Sequence, residues 1–310
     1  MTPQMAYLMT FLGVTGHASS EFFAVLSGVS GPEVSVWRYL LGAAGLLLIC
    51  ALRKEHRDLL TPLRRHWREL VPLSLIGVSV AYLFFHWALD YATAIQVGTM
   101  VTTIPIFVGL SNLVINKVPI AGAKLITGIA AVIGVALLLT DGYLARLLGD
   151  NESLYGVVLA LGCAVMISAY AVLVKPLITE HGAIRITTIS LAIGAIGLWI
   201  IVGLFFGVWV NPLTLFDKEP IAAWSLLTLG LWNTTITQVL WLGGLAAVPD
   251  ITRGSYLFFL KPVITAFLAI TFLTQPITWV QALAIVVICG AVILEMAWPS
   301  IVARLPARAR

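Results

Sequence analysis

The chain has 310 residues, 60% of them hydrophobic and only 10% charged, with a formal net charge of +4 and a mean hydropathy of +1.01. A soluble domain keeps roughly a quarter of its residues charged to maintain a solvated shell, which excludes a soluble globular fold here. The basic balance does not point to nucleic acid, because the cations concentrate at the ends of apolar runs and in one short loop.

Taken in chain order, the apolar runs predict ten membrane-spanning helices, at 4–27, 32–52, 70–90, 92–115, 119–140, 154–175, 183–207, 221–247, 254–274 and 277–299. Each is long enough to cross the hydrocarbon core, which takes about 20 helical residues. In lipid the backbone must satisfy its own hydrogen bonds, and the short alternating segments of a membrane β-barrel are absent, so the fold class is an all-α membrane protein. Ser30-Gly31-Pro32, Lys117-Val118-Pro119, Asn211-Pro212, Val248-Pro249-Asp250 and Gln275-Pro276 punctuate the runs. His17 and Glu21 interrupt the first run and no basic stretch precedes it, so it reads as a span and not as a cleavable signal. Cys50, Cys163 and Cys289 lie singly in separate spans without metal-ligand spacing; no metal and no cofactor are expected.

Ten spans put both termini on one face. With the termini in the cytoplasm, fifteen of the 18 Lys and Arg lie inside, and only Arg38, Arg146 and Lys218 lie outside. The positive-inside rule therefore predicts a multi-pass inner-membrane protein with both termini cytoplasmic.

The halves match each other. Pro105/Pro262, Pro119/Pro276 and Ile120/Ile277 are each separated by 157 residues, and Gly42-Ala43-Ala44-Gly45-Leu46 recurs as Gly194-Ala195-Ile196-Gly197-Leu198. This ordered set predicts a duplication into a five-helix repeat at 1–140, an outer loop at 141–153, a second repeat at 154–300 and a basic cytoplasmic tail at 301–310. A unit with five spans re-enters the membrane inverted, an architecture that supports alternating access.

Polar residues in spans are costly and mark cavities or partners. On the first span His17 lies one turn from Glu21, and on the second sits Arg38. Their similar depth predicts a Glu21–Arg38 ion pair in preference to a proton-coupling role for Glu21 or a His17–Glu21 relay. Ser79, Tyr82, His86 and Asp90 form one stripe on the third span, and Gln96, Thr99 and Thr103 form another on the fourth. Trp232, Asn233, Thr235, Gln238 and Trp241 follow on the eighth span and Tyr256 on the ninth. Together these predict a central cavity whose aromatic faces and neutral hydrogen-bonding groups suit a small amphipathic solute. Lys261 is expected to pair with Glu295, with a solute carboxylate as the alternative partner. Pro105 and Pro262, inside predicted helices, are candidate paired hinges.

The entry Pro32-Glu33…Arg38, the passage Ala88-Leu89…Ala92…Ala94, the mid-span Pro105, and Gly128 and Gly134 resemble the EamA-type branch of the drug/metabolite transporter superfamily over essentially the whole chain. Asn116-Lys117 departs from it, standing where many relatives carry Glu. The overall pattern is most similar to the bacterial aromatic amino acid exporter subgroup. That resemblance implies a secondary transporter exporting aromatic and other apolar amino acids, with other amphipathic metabolites or cationic drugs as alternative cargo. From other classes, a passive channel stays open, and Gly28-Val29-Ser30-Gly31 has the GxSG form of an intramembrane hydrolase. The position of that serine before Pro32 reads instead as a turn, and no HExxH motif or paired carboxylate supports an enzyme.

Overall fold

The computed structural model describes residues 1–53, 58–140, 151–273 and 277–304, and among these it is helical with no strand. Residues 141–150 of the predicted outer loop and 305–310 of the predicted basic tail lie outside the described residues, as do Lys54, Arg57, Arg146 and the Gln275-Pro276 turn.

The chain begins with α1 (Pro3–His17) and α2 (Ser20–Leu26), followed by α3 (Gly31–Leu52). Next, α4 (Leu60–Ser74) runs through a π-helical stretch at Leu75–Val80 into α5 (Ala81–Tyr91). Then come α6 (Ala94–Val101), α7 (Ile104–Asn116), α8 (Gly122–Thr140), α9 (Asn151–His181) and α10 (Ala183–Phe206). The helix α11 (Pro220–Gly230) passes through a second π-helical stretch at Leu231–Ile236 into α12 (Thr237–Ala247). Short α13 (Ile251–Ser255) and a 3-10 turn at Tyr256–Phe259 lead to α14 (Leu260–Leu273), and α15 (Trp279–Arg304) follows.

Seven helical stretches among the described residues are long and apolar enough to cross a membrane. The predicted spans at 4–27 and 254–274 are instead assembled from shorter pieces, and the one at 221–247 is a continuous helix whose centre, Trp232-Asn233-Thr234-Thr235, is polar. The outward surfaces are apolar, with Leu204 and Phe205 68% and 80% exposed, whereas Ser79, His86, Asn233 and Gln238 are buried. This inside-out polarity is that of a chain solvated by lipid.

Small residues let the helices approach closely. Gly13 of α1 faces the Trp241 backbone of α12, and Gly244 of α12 faces Thr10 of α1. Gly42 and Gly45 of α3 lie against Thr234 and Thr235, while Gly194 and Gly197 of α10 lie against Val78 and Ser79. The Thr235 hydroxyl donates to the Gly42 carbonyl at 3.0 Å, and the Ser79 hydroxyl donates to the Gly194 carbonyl at 2.8 Å. The glycine pairs seen in the sequence thus meet the two π-helical stretches in the same way. In the second stretch and just after it, Thr234, Thr235 and Thr237 each donate to the carbonyl five residues back, a spacing that follows π-helical geometry.

Breaks in lipid-spanning helices require replacement partners for the freed carbonyls. At the α1–α2 break, the Asn233 amide donates to the Gly16 carbonyl at 2.5 Å and the Thr265 hydroxyl to the Ala18 carbonyl at 2.8 Å. Pro105 and Pro262 do not sit in helix interiors as predicted: Pro105 is the second residue of α7, and Pro262 the third of α14. A missing N–H costs nothing in a first turn, so the prolines mark where two helices restart.

Candidate functional site

Arg38, 1% exposed on α3, occupies the centre of the buried polar cluster. Its Nε donates to the Thr234 hydroxyl at 2.8 Å and its Nη2 to the Asn233 carbonyl at 3.0 Å. Its Nη1 lies 3.2 Å from His86 Nε2. The other ring nitrogen, Nδ1, is 3.0 Å from the Tyr82 carbonyl, which can only accept, so Nδ1 carries the proton and Nε2 accepts from Arg38. His86 is thereby a neutral partner. The guanidinium carbon also lies 5.7 Å from the ring centroids of both Tyr39 and Tyr82, in cation–π range. Gln238 donates to the Tyr82 hydroxyl at 2.6 Å and closes this layer.

The expected Glu21–Arg38 pair does not form. Glu21 on α2 is paired with Lys261 of α14, the two side chains being 12% and 6% exposed. The expected Lys261–Glu295 pair fails for the same reason: Glu295, fully buried, is taken by Arg253 at 3.1 Å. The break at Ala18–Ser19 sets α2 off from α1, and depth counted along one continuous helix could not anticipate this exchange. Among the described residues no carboxylate pairs with Arg38.

A water-sized space of about 20 Å³ lies between His17, Ser20, Arg38, Tyr82, Trp241 and Lys261, with Phe85, Phe258, Val101, Ile104 and Ile167 supplying its apolar wall. His17 Nε2 and Trp241 Nε1 are buried there without a hydrogen-bond partner. The two rings meet edge to face at 5.6 Å. Unsatisfied buried donors and acceptors of this kind call for a ligand or water. Lys261 and Glu21 also line a second, largely apolar cavity of about 390 Å³, formed with Phe22, Gly98, Leu139 and Pro262. Lys261 therefore borders both spaces, with its partner Glu21 on the larger one.

The predicted stripes divide on this geometry. Tyr82, His86, Gln238 and Trp241 converge with His17, Arg38 and Lys261. Asn233 contributes its backbone carbonyl to Arg38, while its amide caps the α1 break. Ser79 serves a helix contact. Gln96 caps α6 in a reciprocal capping box with Thr93, and Thr103 donates back to the Met100 carbonyl at 2.5 Å. Thr99 is buried on α6 and does not line either chamber. Trp232 is 43% exposed on the outer surface. Tyr256 donates its hydroxyl to the Lys124 carbonyl. Asp90 caps α3, its carboxylate accepting the Gly31 N–H at 2.9 Å. In the GxSG segment, Gly28 has φ +66° and Ser30 is exposed, so a turn accounts for the motif. Phe85 and Phe258 are apolar and carry no polar signal in the sequence, whereas Tyr39 is legible as the residue next to Arg38.

Outside the spans, Asp250 accepts from Lys124 and from the Arg253 N–H at 3.1 Å. Burial raises its carboxyl, and these hydrogen bonds with the two cations outweigh it, leaving Asp250 below the ordinary carboxylate range.

An all-helical bundle with apolar outward surfaces, a polar core and closely packed glycine contacts is that of a multi-pass membrane protein. Residues 4–140 and 154–296 each match the EamA-like transporter family, and the chain belongs to that family. It is 28% identical over 266 residues to an "Uncharacterized transporter" of Archaeoglobus fulgidus, covering 86% of this chain and 87% of that protein. A second protein so named, from Clostridium kluyveri, is 25% identical over 285 residues, 90% of this chain and 88% of its own length. A solved crystal structure superposes with a TM-score of 0.78 over 98% of this chain and all of that one, at 18% identity, which speaks for the fold alone.

Proposed function

We propose that this transporter is a secondary carrier of small amphipathic solutes bearing a carboxylate, aromatic and other apolar amino acids foremost, exported across a bacterial inner membrane by alternating access. The observation that carries this reading is Arg38, a buried guanidinium held by neutral partners beside a chamber lined by aromatic rings. A buried charge without a counter-ion is costly, and a solute carboxylate arriving in the chamber supplies one. Trp241, Tyr82, Phe85 and Phe258 offer faces for an apolar side chain. Two cations against the single carboxylate of Glu21 favour this cargo over cationic drugs.

Ten spans arranged as two inverted five-helix repeats, both termini cytoplasmic, complete the proposal. The matched glycine contacts and π-helical stretches support the repeat, and the helix restarts at Pro105 and Pro262 are its candidate hinges. The chamber holds little more than a water in this conformation, so loading a solute requires the halves to move apart.

Counterflow of labelled amino acids in proteoliposomes, with and without a pH gradient, tests the reading. Arg38→Met, Tyr82→Ala and Gln238→Ala should each abolish or sharply reduce counterflow. Because Arg38→Met removes an uncompensated buried charge, its melting temperature should equal or exceed that of the parent. Full counterflow in Arg38→Met would overturn the carboxylate assignment.

A further inference from the structure

His66 on α4 departs from helical geometry, with φ −120° and ψ 22°, and the resulting kink turns its ring toward the end of α9. There Glu180 and His181 close the helix before Gly182 reverses the chain at φ +91°. His66 Nε2 lies 3.8 Å from one Glu180 oxygen and His181 Nε2 lies 3.6 Å from the other. Both Nε2 atoms are buried and neither has a hydrogen-bond partner. The two rings stand edge to face at 5.3 Å, and one ligand atom from each of the three residues falls within 4.8 Å of the others.

These separations are too long for N–H···O hydrogen bonds, which draw heavy atoms to about 2.7–3.2 Å. The two N···O separations are close to the spacing of roughly 3.3–3.4 Å between neighbouring donors in a tetrahedral site with Zn–N and Zn–O bonds of about 2.0–2.2 Å, and the set, now within 4.8 Å, contracts to it on binding. We propose that His66, Glu180 and His181 form a binding site for one borderline-soft transition-metal ion of the Zn²⁺ type, with water in the fourth position. Two imidazoles and one carboxylate select such ions over Mg²⁺ and Ca²⁺, which prefer all-oxygen shells. Glu69 stands 3.9 Å from His66 Nδ1, on the far side of the ring, where a carboxylate orients a ligating histidine. Arg65 competes, since its Nη1 holds a Glu180 oxygen at 3.0 Å. That side chain is 67% exposed and can leave at little cost. The bound ion ties α4, within the first matched region, to α9, within the second.

The site is read out by binding and does not depend on the identity of the cargo. Untagged protein, stripped with chelator in detergent, is titrated with Co²⁺ and then Zn²⁺. One equivalent of Co²⁺ should bind with the intense visible bands of four-coordination, Zn²⁺ should displace it, and Mg²⁺ should not. His66→Ala and His181→Ala should each weaken binding at least tenfold, and Glu69→Gln by about tenfold. Arg65→Ala, which frees Glu180, should tighten it, so that a loss through misfolding cannot imitate the full pattern. Failure to bind one equivalent, or equal affinity in the two histidine variants and the parent, would overturn the site.

Discussion

Replacing Lys261 by Met leaves the Glu21 carboxylate buried without its cation. The two side chains are 6% and 12% exposed, so water screens the pair little. Removing one partner of such a pair costs about 3–5 kcal/mol, because the remaining charge stays desolvated. At about 2 °C per kcal/mol for a chain of this size, melting should fall by roughly 6–10 °C. The reverse variant, Glu21→Gln, should cost less. Lys261 keeps ring contacts with Phe85 and Phe258, whose centroids lie 5.8 and 5.7 Å from its Nζ, and each contributes about 0.5–1 kcal/mol. Methionine preserves the stem's packing, so the Glu21→Gln/Lys261→Met double variant should recover most of the loss. Buried Cys50 and Cys163 supply the assay: a thiol-reactive fluorogenic dye in detergent reports their exposure as the protein unfolds. Losses that simply add in the double variant would refute the pairing.

Close helix approach predicts that Gly13→Ala is destabilising by about 1–3 kcal/mol, since a Cβ there would lie 2.6 Å from the Trp241 backbone nitrogen. Gly290→Ala, which enters open space, should melt unchanged or higher in the same dye assay. Asp250 titrates below its ordinary 3.8, so its contribution to stability is complete above that pH and is lost as pH falls through the lowered folded value. Melting temperature followed against pH should show this acid loss in the parent and a flatter profile in Asp250→Asn.

Hydropathy, charge and internal matches were sufficient for a helical membrane protein with two related halves, because lipid permits few backbone solutions and leaves a long apolar record in each span. The pairs Gly42/Gly45 and Gly194/Gly197 were legible for the same reason, since only small residues allow such close contact. Helical spacing also brought out Tyr82, His86, Gln238 and Trp241, which do converge. It could not separate them from Ser79, Gln96 or Tyr256, whose hydroxyl and amide groups turn instead to carbonyls and caps. Ion-pair partners were decided by tertiary structure alone. A break of two residues between α1 and α2 redirects Glu21 to Lys261, leaves Glu295 to Arg253, and leaves Arg38 with no carboxylate partner among the described residues. Charge complementarity acts over a few ångströms, and those distances come from how helices cross and break, which no count along a single helix contains.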